Sequence, residues 1–369
     1  MKIKNEGGYM GGNAMRSFGV TRLNKTQYNE LTQAIKSSFK NLIENNSNHY
    51  NLAVVPSYRN KESFGDCDLL SDMPSEVFEK ELTNNKDFTI LGKKPNGSVV
   101  SYAVKFRDFE PFQVDLIRTN AYNFDFNLNY LSYNDLGNLI GRIAAALGFK
   151  FAHDGLYLQA WFSHNGTSKN VERIKEEGKT NEHAEYKKEC LFLSDFQKAI
   201  EFLGFDYERF CKGFDELEDI LKYVTDSKYF CKDYFDLENR NHAQRMRDRK
   251  RATYHAALEY FENLKDRKRS DVKAEFKKVV NSQFPKVATI KHKMKKECRR
   301  EYIISRRLKA ARIQRLAKKH FGVSLEGAAL GNIMKLIKSS CDRSAAANGA
   351  LKSVWNSHLT ELIGKALKQ

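Results

Sequence analysis

The stretch from Val54 to Leu70 reads VVPSYRNKESFGDCDLL. Together with Leu52 and Ala53, its first residues make a short apolar run closed by Pro56, and Asp68 to Leu70 make a second apolar run. The polar residues 57–65 lie between them, so the segment predicts strand, loop, strand. Asp66 and Asp68 stand two apart in the second strand. Period-2 alternation puts both carboxylates on one face and turns Cys67 and Leu69 toward the core. Like charges side by side are costly without a cation, and an all-oxygen donor set suits Mg²⁺ or Mn²⁺ rather than zinc.

A third carboxylate stands in a similar setting downstream. In Phe112-Gln-Val-Asp-Leu-Ile117, Asp115 interrupts a strand-like apolar run, an expensive position unless the group is paired or bound to metal. Three carboxylates on two neighbouring strands suffice to hold two divalent ions about 4 Å apart, the spacing used in phosphoryl transfer. A D-x-D pair alone is common in any acidic chain; its context gives it weight here. A calcium loop is excluded, because no Gly and bidentate Glu follow Asp68 at the required offsets. Upstream, Ser57 opens a loop that also carries Arg59 and Lys61. A hydroxyl, loop amides and two cations form a cradle for a nucleotide triphosphate, and the third carboxylate is placed to activate an incoming hydroxyl.

Outward from this stretch, apolar spacing predicts a helix over 24–46, a helix over 74–82 and strands over 88–91, 99–106 and 112–117. Lys94-Pro-Asn-Gly97 predicts the turn of a hairpin. From residue 134 the pattern becomes helical, with Leu136, Leu139, Ile140 and Ile143 on one side and Gly148 at the end. A hairpin is expected over 151–158 and a polar surface excursion over 163–188. Ser194 is expected to cap a helix over 195–203, and a further helix covers 215–224. The aromatics Tyr223, Tyr229, Phe230, Tyr234 and Phe235 read as core. Residues 241–264 and 272–321 are helical and basic, the latter with Ile303, Ile304, Leu308, Ile313 and Leu316 as a docking face. The expected fold class is α+β: an N-terminal mixed sheet with flanking helices, followed by helical domains.

The 369 residues carry a net charge of +17, a balance that points to a polyanionic partner. The charge is uneven. Residues 240–319 hold 27 Lys and Arg against 8 Asp and Glu, a net of +19, whereas residues 1–239 hold 30 against 35. Within the basic segment Arg245, Arg247, Arg249, Lys250 and Arg251 are offset only by Asp248, which favours contact with nucleic acid over a solvated face. Six widely spaced cysteines with no CxxC pair signal neither a zinc site nor a disulfide framework, and His153, His164 and His183 share no ligand spacing. The opening residues lack a signal-peptide core and no run of about 18 apolar residues occurs, so no membrane partner and a cytoplasmic location are expected.

These residues resemble a known pattern. Val55-Pro-Ser57, an eight-residue spacer, Asp66-Cys-Asp68-Leu and a later Val114-Asp115-Leu are similar to the signature of the DNA polymerase β-like nucleotidyltransferase superfamily. Its bacteriophage and large-DNA-virus members look closest. They also begin near a Gly-Gly element, here Gly11-Gly12-Asn13, carry a sequence like Ser63-Phe-Gly-Asp66-Cys-Asp68, and place a basic helix like Asn241–Tyr254 after the catalytic domain. The resemblance covers residues 10–265. Pro56 departs from it, standing where the family has glycine. It implies that Asp66 and Asp68 bind both metals and that Asp115 binds the catalytic metal and helps deprotonate the acceptor; for a viral protein the expected cytoplasm is that of the host cell.

The expectation is therefore a catalytic domain over 1–127, a mainly helical middle domain over 128–269 and a basic helical region over 270–369. The expected activity is Mg²⁺- or Mn²⁺-dependent transfer of a nucleotide from an NTP to a hydroxyl, most readily a nucleic-acid 3′ end. Two other readings stay open: a protein or small-molecule acceptor, and an inactive nucleic-acid-binding viral protein.

Overall fold

The computed structural model describes residues 14–44, 50–162, 186–239, 242–307, 309–340 and 352–368. The architecture is α+β, with a mixed N-terminal sheet and helices followed by a helical region. The chain gathers into two compact units, residues 1–158 with 190–279 and residues 159–189 with 280–369. The sequence segments 1–127 and 128–269 thus both fall largely in the first unit, and most of the basic C-terminal region falls in the second.

The first unit begins with β1 (Leu23–Asn24) and α1 (Lys25–Ser38). The Asn24 side chain accepts from the Gln27 amide at 2.9 Å, and the Gln27 side chain accepts from the Asn24 amide at 3.1 Å. This reciprocal cap satisfies two otherwise orphan donors. The helix expected over 24–46 is interrupted: Phe39, buried and stacked on Phe78 at 5.1 Å, is the C-cap of α1, and the chain resumes as α2 (Lys40–Glu44).

Next come β2 (Leu52–Val54), β3 (Ser63–Phe64), β4 (Asp66–Ser71), α3 (Ser75–Asn84), β5 (Phe88–Asn96), β6 (Val99–Phe106) and β7 (Phe112–Arg118). Five of the strands form one sheet in the order β2-β4-β7-β6-β5, with β4 and β7 parallel and the other pairs antiparallel. β1 pairs with β3 separately, joining Leu23 to Phe64. The hairpin turn is tighter than Lys94-Pro-Asn-Gly97 suggested. β5 runs through Pro95 to Asn96, which pairs with Val99, and Gly97 supplies the positive φ of 63°. Proline is compatible with β5 because β5 is an edge strand, where a missing N–H leaves no ladder bond broken.

One face of the sheet is sealed by α1 and α3. Leu31, Ile35, Phe39, Phe78 and Leu82 close over Cys67, Leu69, Tyr102, Val114 and Leu116, all buried. Each such side chain contributes about 1.5–3 kcal/mol on burial. Truncating the fully buried Phe78 to alanine would cost about 3–5 kcal/mol.

After the sheet, α4 (Phe124–Leu131) and α5 (Leu136–Ala146) lead to β8 (Phe149–Ala152), β9 (Gly155–Phe162) and β10 (Tyr186–Leu193), a three-stranded sheet in the order β10-β9-β8. The excursion expected over 163–188 therefore ends in a strand that begins at Tyr186; residues 163–185 lie outside the described residues. In the helix Phe196–Phe202 the N-cap is Asp195, accepting from the Lys198 amide at 2.8 Å, and not Ser194. Both residue types cap; the helix starts one residue later than expected, at Phe196, which puts Asp195 at the N-cap. Tyr223, Tyr229, Phe230, Tyr234 and Phe235 are all buried, as expected.

The second unit contains the helices Lys286–Arg307, Ala310–Phe321, Gly327–Ser340 and Lys352–Ala366. Its core joins Ile313, Leu316 and Ala317 to Ile333, Ile337, Leu359 and Ile363. Ile313 and Leu316 thus face the core, while the side chains of Ile303, Ile304 and Leu308 lie outside those described. Among the described residues no helix is long and apolar enough to cross a membrane.

Candidate active site

Strand register places the candidate residues. Across β4, β7, β6 and β5, one row of partners is Cys67, Val114, Tyr102 and Lys93, and the next is Asp68, Asp115, Ser101 and Lys94. Successive residues of a strand point to opposite faces. The first row belongs to the core: Cys67, Val114 and Tyr102 are fully buried, and Lys93 at its edge pairs with Glu79 of α3 at 2.8 Å. The second row therefore lies on the other face. Asp66 joins it there, two residues from Asp68 and opposite Gln113.

Asp66, Asp68 and Asp115 are half-buried, and each offers a carboxylate oxygen within 4.8 Å of the others. Gln113 Nε2 donates to both oxygens of Asp115, at 3.1 and 2.9 Å, and is itself oriented by the Met15 amide, which donates to Gln113 Oε1 at 3.1 Å. Burial, followed by the charges of Asp66 and Asp115, pushes Asp68 up to about 7. Burial also raises Asp115, against the opposing effect of hydrogen bonds from Ser101 and Gln113. Three hard oxygen donors that resist sharing their negative charge are the donor set a divalent cation satisfies.

The loop before β4 treats its three predicted ligands differently. Lys61 stands near the carboxylates: burial lowers its pKa, while Asp66 and then Asp68 favour its charged form, and its ammonium sits 4.8 Å over the Phe64 ring. Arg59 is otherwise engaged. Its Nε donates to Asp215 at 2.5 Å and its Nη1 to the Lys212 carbonyl at 2.8 Å, and the Arg59 and Asn60 amides donate to the carbonyls of Phe214 and Asp215. These bonds anchor the loop, while the Arg59 side chain stays exposed. Ser57 is half-buried, with no side-chain hydrogen bond among the described residues. Pro56 contributes its carbonyl, which accepts from the Tyr133 amide at 2.7 Å.

The five basic residues after 240 also separate. Asp248, the one acidic interruption, is fully buried and bonded to the buried Arg142 of α5 at 2.5 Å. Arg251 forms an ion pair with Asp135 and stands at the N-cap position of the helix Ala252–Glu262, without a capping side-chain hydrogen bond. Arg247 reaches Asn138 at 3.5 Å, and Arg245 lies 3.9 Å from Glu238. Arg249 and Lys250 are exposed. The Gly11-Gly12 element, His164 and His183 lie outside the described residues, and His153 is an exposed turn residue. A second acidic group, Cys231, Asp233 and Asp266, holds the chain together: the Asp266 carboxylate accepts from the Lys232 and Arg267 amides, and the Cys231 thiol donates to the Arg267 carbonyl.

Four residues at the site escaped the sequence reading. Gln113 and Ser101 carry no charge and sit within apolar strands, and Lys94 looked like a turn residue. Arg22, whose charge acts on Lys61, binds Ser63 through Nε at 2.8 Å only because β1 pairs with β3. The period-2 offset of Gln113 from Asp115 was the one available signal. No protein-family model matches the chain, and none of the curated proteins compared with it matches.

Proposed function

We propose that the chain is a metal-dependent nucleotidyltransferase that moves a nucleotide from an NTP to a hydroxyl, with a nucleic-acid 3′ end as the favoured acceptor. One observation carries this reading: Asp66, Asp68 and Asp115, from two parallel strands, present their carboxylates together on the sheet face away from the helical core. The resemblance of the Val55–Leu69 and Val114–Leu116 segments to the polymerase β-like superfamily agrees with that placement.

In this reading Asp66, Asp68 and Asp115 hold Mg²⁺ or Mn²⁺, which when bound offsets the charge of the triphosphate and the departing pyrophosphate. Lys61 and Ser57 bind phosphate oxygens from the loop side. Arg59 acts indirectly, fixing the loop on Asp215. The acceptor oxygen attacks the α-phosphorus; the new O–P bond forms as the bond to the bridging oxygen of the β-phosphate breaks, and pyrophosphate leaves. Asp115, whose proton affinity burial raises, takes the hydroxyl proton. Gln113 keeps the Asp115 carboxylate aimed throughout.

Incubating the protein with each labelled NTP, Mg²⁺ or Mn²⁺, and a panel of single-stranded, duplex and tRNA-like acceptors tests the proposal. Label on an acceptor is expected. A complete absence of label on every acceptor, and on the protein itself, would favour an inactive nucleic-acid binder.

A further inference from the structure

The row that carries the carboxylates does not end at Asp115. It continues through Ser101, which is buried, to Lys94 on the edge strand β5. Lys94 lies two strands from Asp115, about 10 Å between Cα atoms. An open cleft of about 520 Å³ connects them, lined by Asp115, Ser101, Lys94, Pro95, Asn96 and Ala14.

The two adjacent lysines of β5 have different fates. Lys93 points to the helical side and is neutralised by Glu79, which also accepts from Tyr102. Lys94 points to the carboxylate side, is exposed and makes no ion pair among the described residues. Cations thus flank the acidic row at both ends, Lys61 beside β4 and Lys94 beyond β6. Lys61, on the loop side, is the cation next to Asp66 and Asp68. The Lys94 end lies beyond Ser101 from Asp115, the residue proposed to receive the acceptor's proton.

Resting on the nucleotidyltransferase reading, we propose that this cleft is the acceptor site, and that Lys94 binds a phosphate carried close to the reacting hydroxyl. The acceptor is then a phosphorylated hydroxyl compound: its hydroxyl lies at Asp115 and its phosphate at Lys94, with Asn96 beside it. A nucleic-acid 3′ end and a free phosphorylated sugar share that chemistry. Lys94 is an acceptor-binding residue that sets acceptor affinity while leaving the NTP's own binding untouched.

The test is amine-selective labelling of the full chain, with the rates at Lys94 and Lys93 read by peptide mass spectrometry. The probes are a dinucleotide with a free 3′ hydroxyl, a nucleoside 5′-monophosphate, the bare nucleoside and an NTP. Either phosphorylated acceptor is expected to slow labelling of Lys94 several-fold with Lys93 unchanged, and the nucleoside to have no effect. Protection by the dinucleotide alone assigns a nucleic-acid end; protection by the monophosphate alone assigns a small phosphorylated acceptor. Unchanged labelling with both, or protection by NTP instead, overturns the proposal. This readout needs no turnover, so it decides the role of Lys94 even if no label is ever transferred. Where transfer is seen, Lys94→Ala should raise the acceptor KM about tenfold, leave the NTP KM and kcat unchanged, and be largely rescued by Lys94→Arg.

Discussion

Asp68 and Asp115 are register partners across the parallel strands β4 and β7, so two carboxylates stand side by side with a third, Asp66, within reach of both. The fold forces like charges together and surrounds them with groups that orient them. Burial and the neighbouring charges raise Asp68 from 3.8 to about 7. Between those values the folded chain holds a proton that the unfolded chain has released. The stability from this group is therefore full below pH 3.8 and declines as pH rises through about 7. Thermal melts without divalent ions should show that decline, and added Mg²⁺ or Mn²⁺ should raise Tm more at pH 8 than at pH 6, because ligation needs the ionised carboxylates. Asp68→Asn should weaken both trends, with the raised Asp115 leaving a remainder of each.

Gln113 holds Asp115 by two hydrogen bonds and is held in turn by the Met15 amide. Partners of this kind typically account for about 10–100-fold in metal affinity or activity. Gln113→Ala should reduce transfer by that factor, and, because it leaves the buried Met15 amide without its acceptor, should cost about 1–3 kcal/mol of stability, read by parallel rate and melting measurements. An unchanged rate would remove Gln113 from the site.

The buried pair Arg142–Asp248 makes a purely structural prediction. Removing one partner leaves an uncompensated buried charge, so Asp248→Ala should cost about 3–5 kcal/mol in denaturant unfolding. The double substitution Arg142→Met with Asp248→Leu should recover most of that stability.

Sorting the basic residues by their partners separates binding from folding. Arg249 and Lys250 are exposed, and on the proposed nucleic-acid acceptor neutralising both to Gln should lower the salt slope of binding by about 1 for each phosphate that a removed cation had neutralised, with unchanged stability. Arg251→Gln should instead lower stability, because it leaves Asp135 without its ion-pair partner. Fluorescence anisotropy titrations across a salt series distinguish the two.

Much of this was legible in the chain because it rested on local rules. Alternation alone put Asp66 and Asp68 on one face, and an Asp inside the apolar run 112–117 marked β7. The aromatics of the middle segment were recognisable as core. Long-range pairing was not legible. The sequence did not show that Arg59 meets Asp215, 156 residues away, or that Arg251 meets Asp135. Pro95 misled for a different reason: an edge strand tolerates a residue that local sequence rules assign to a turn.

Whether the three carboxylates perform nucleotide transfer is decided by incorporation of labelled NTP with Asp66→Ala and Asp115→Ala beside the wild-type chain. Circular dichroism and melting temperature on the same samples establish that each variant is folded. The wild-type signal should need Mg²⁺ or Mn²⁺ and should fall by at least about 100-fold in either folded variant. Full divalent-dependent incorporation by folded Asp66→Ala would overturn the assignment.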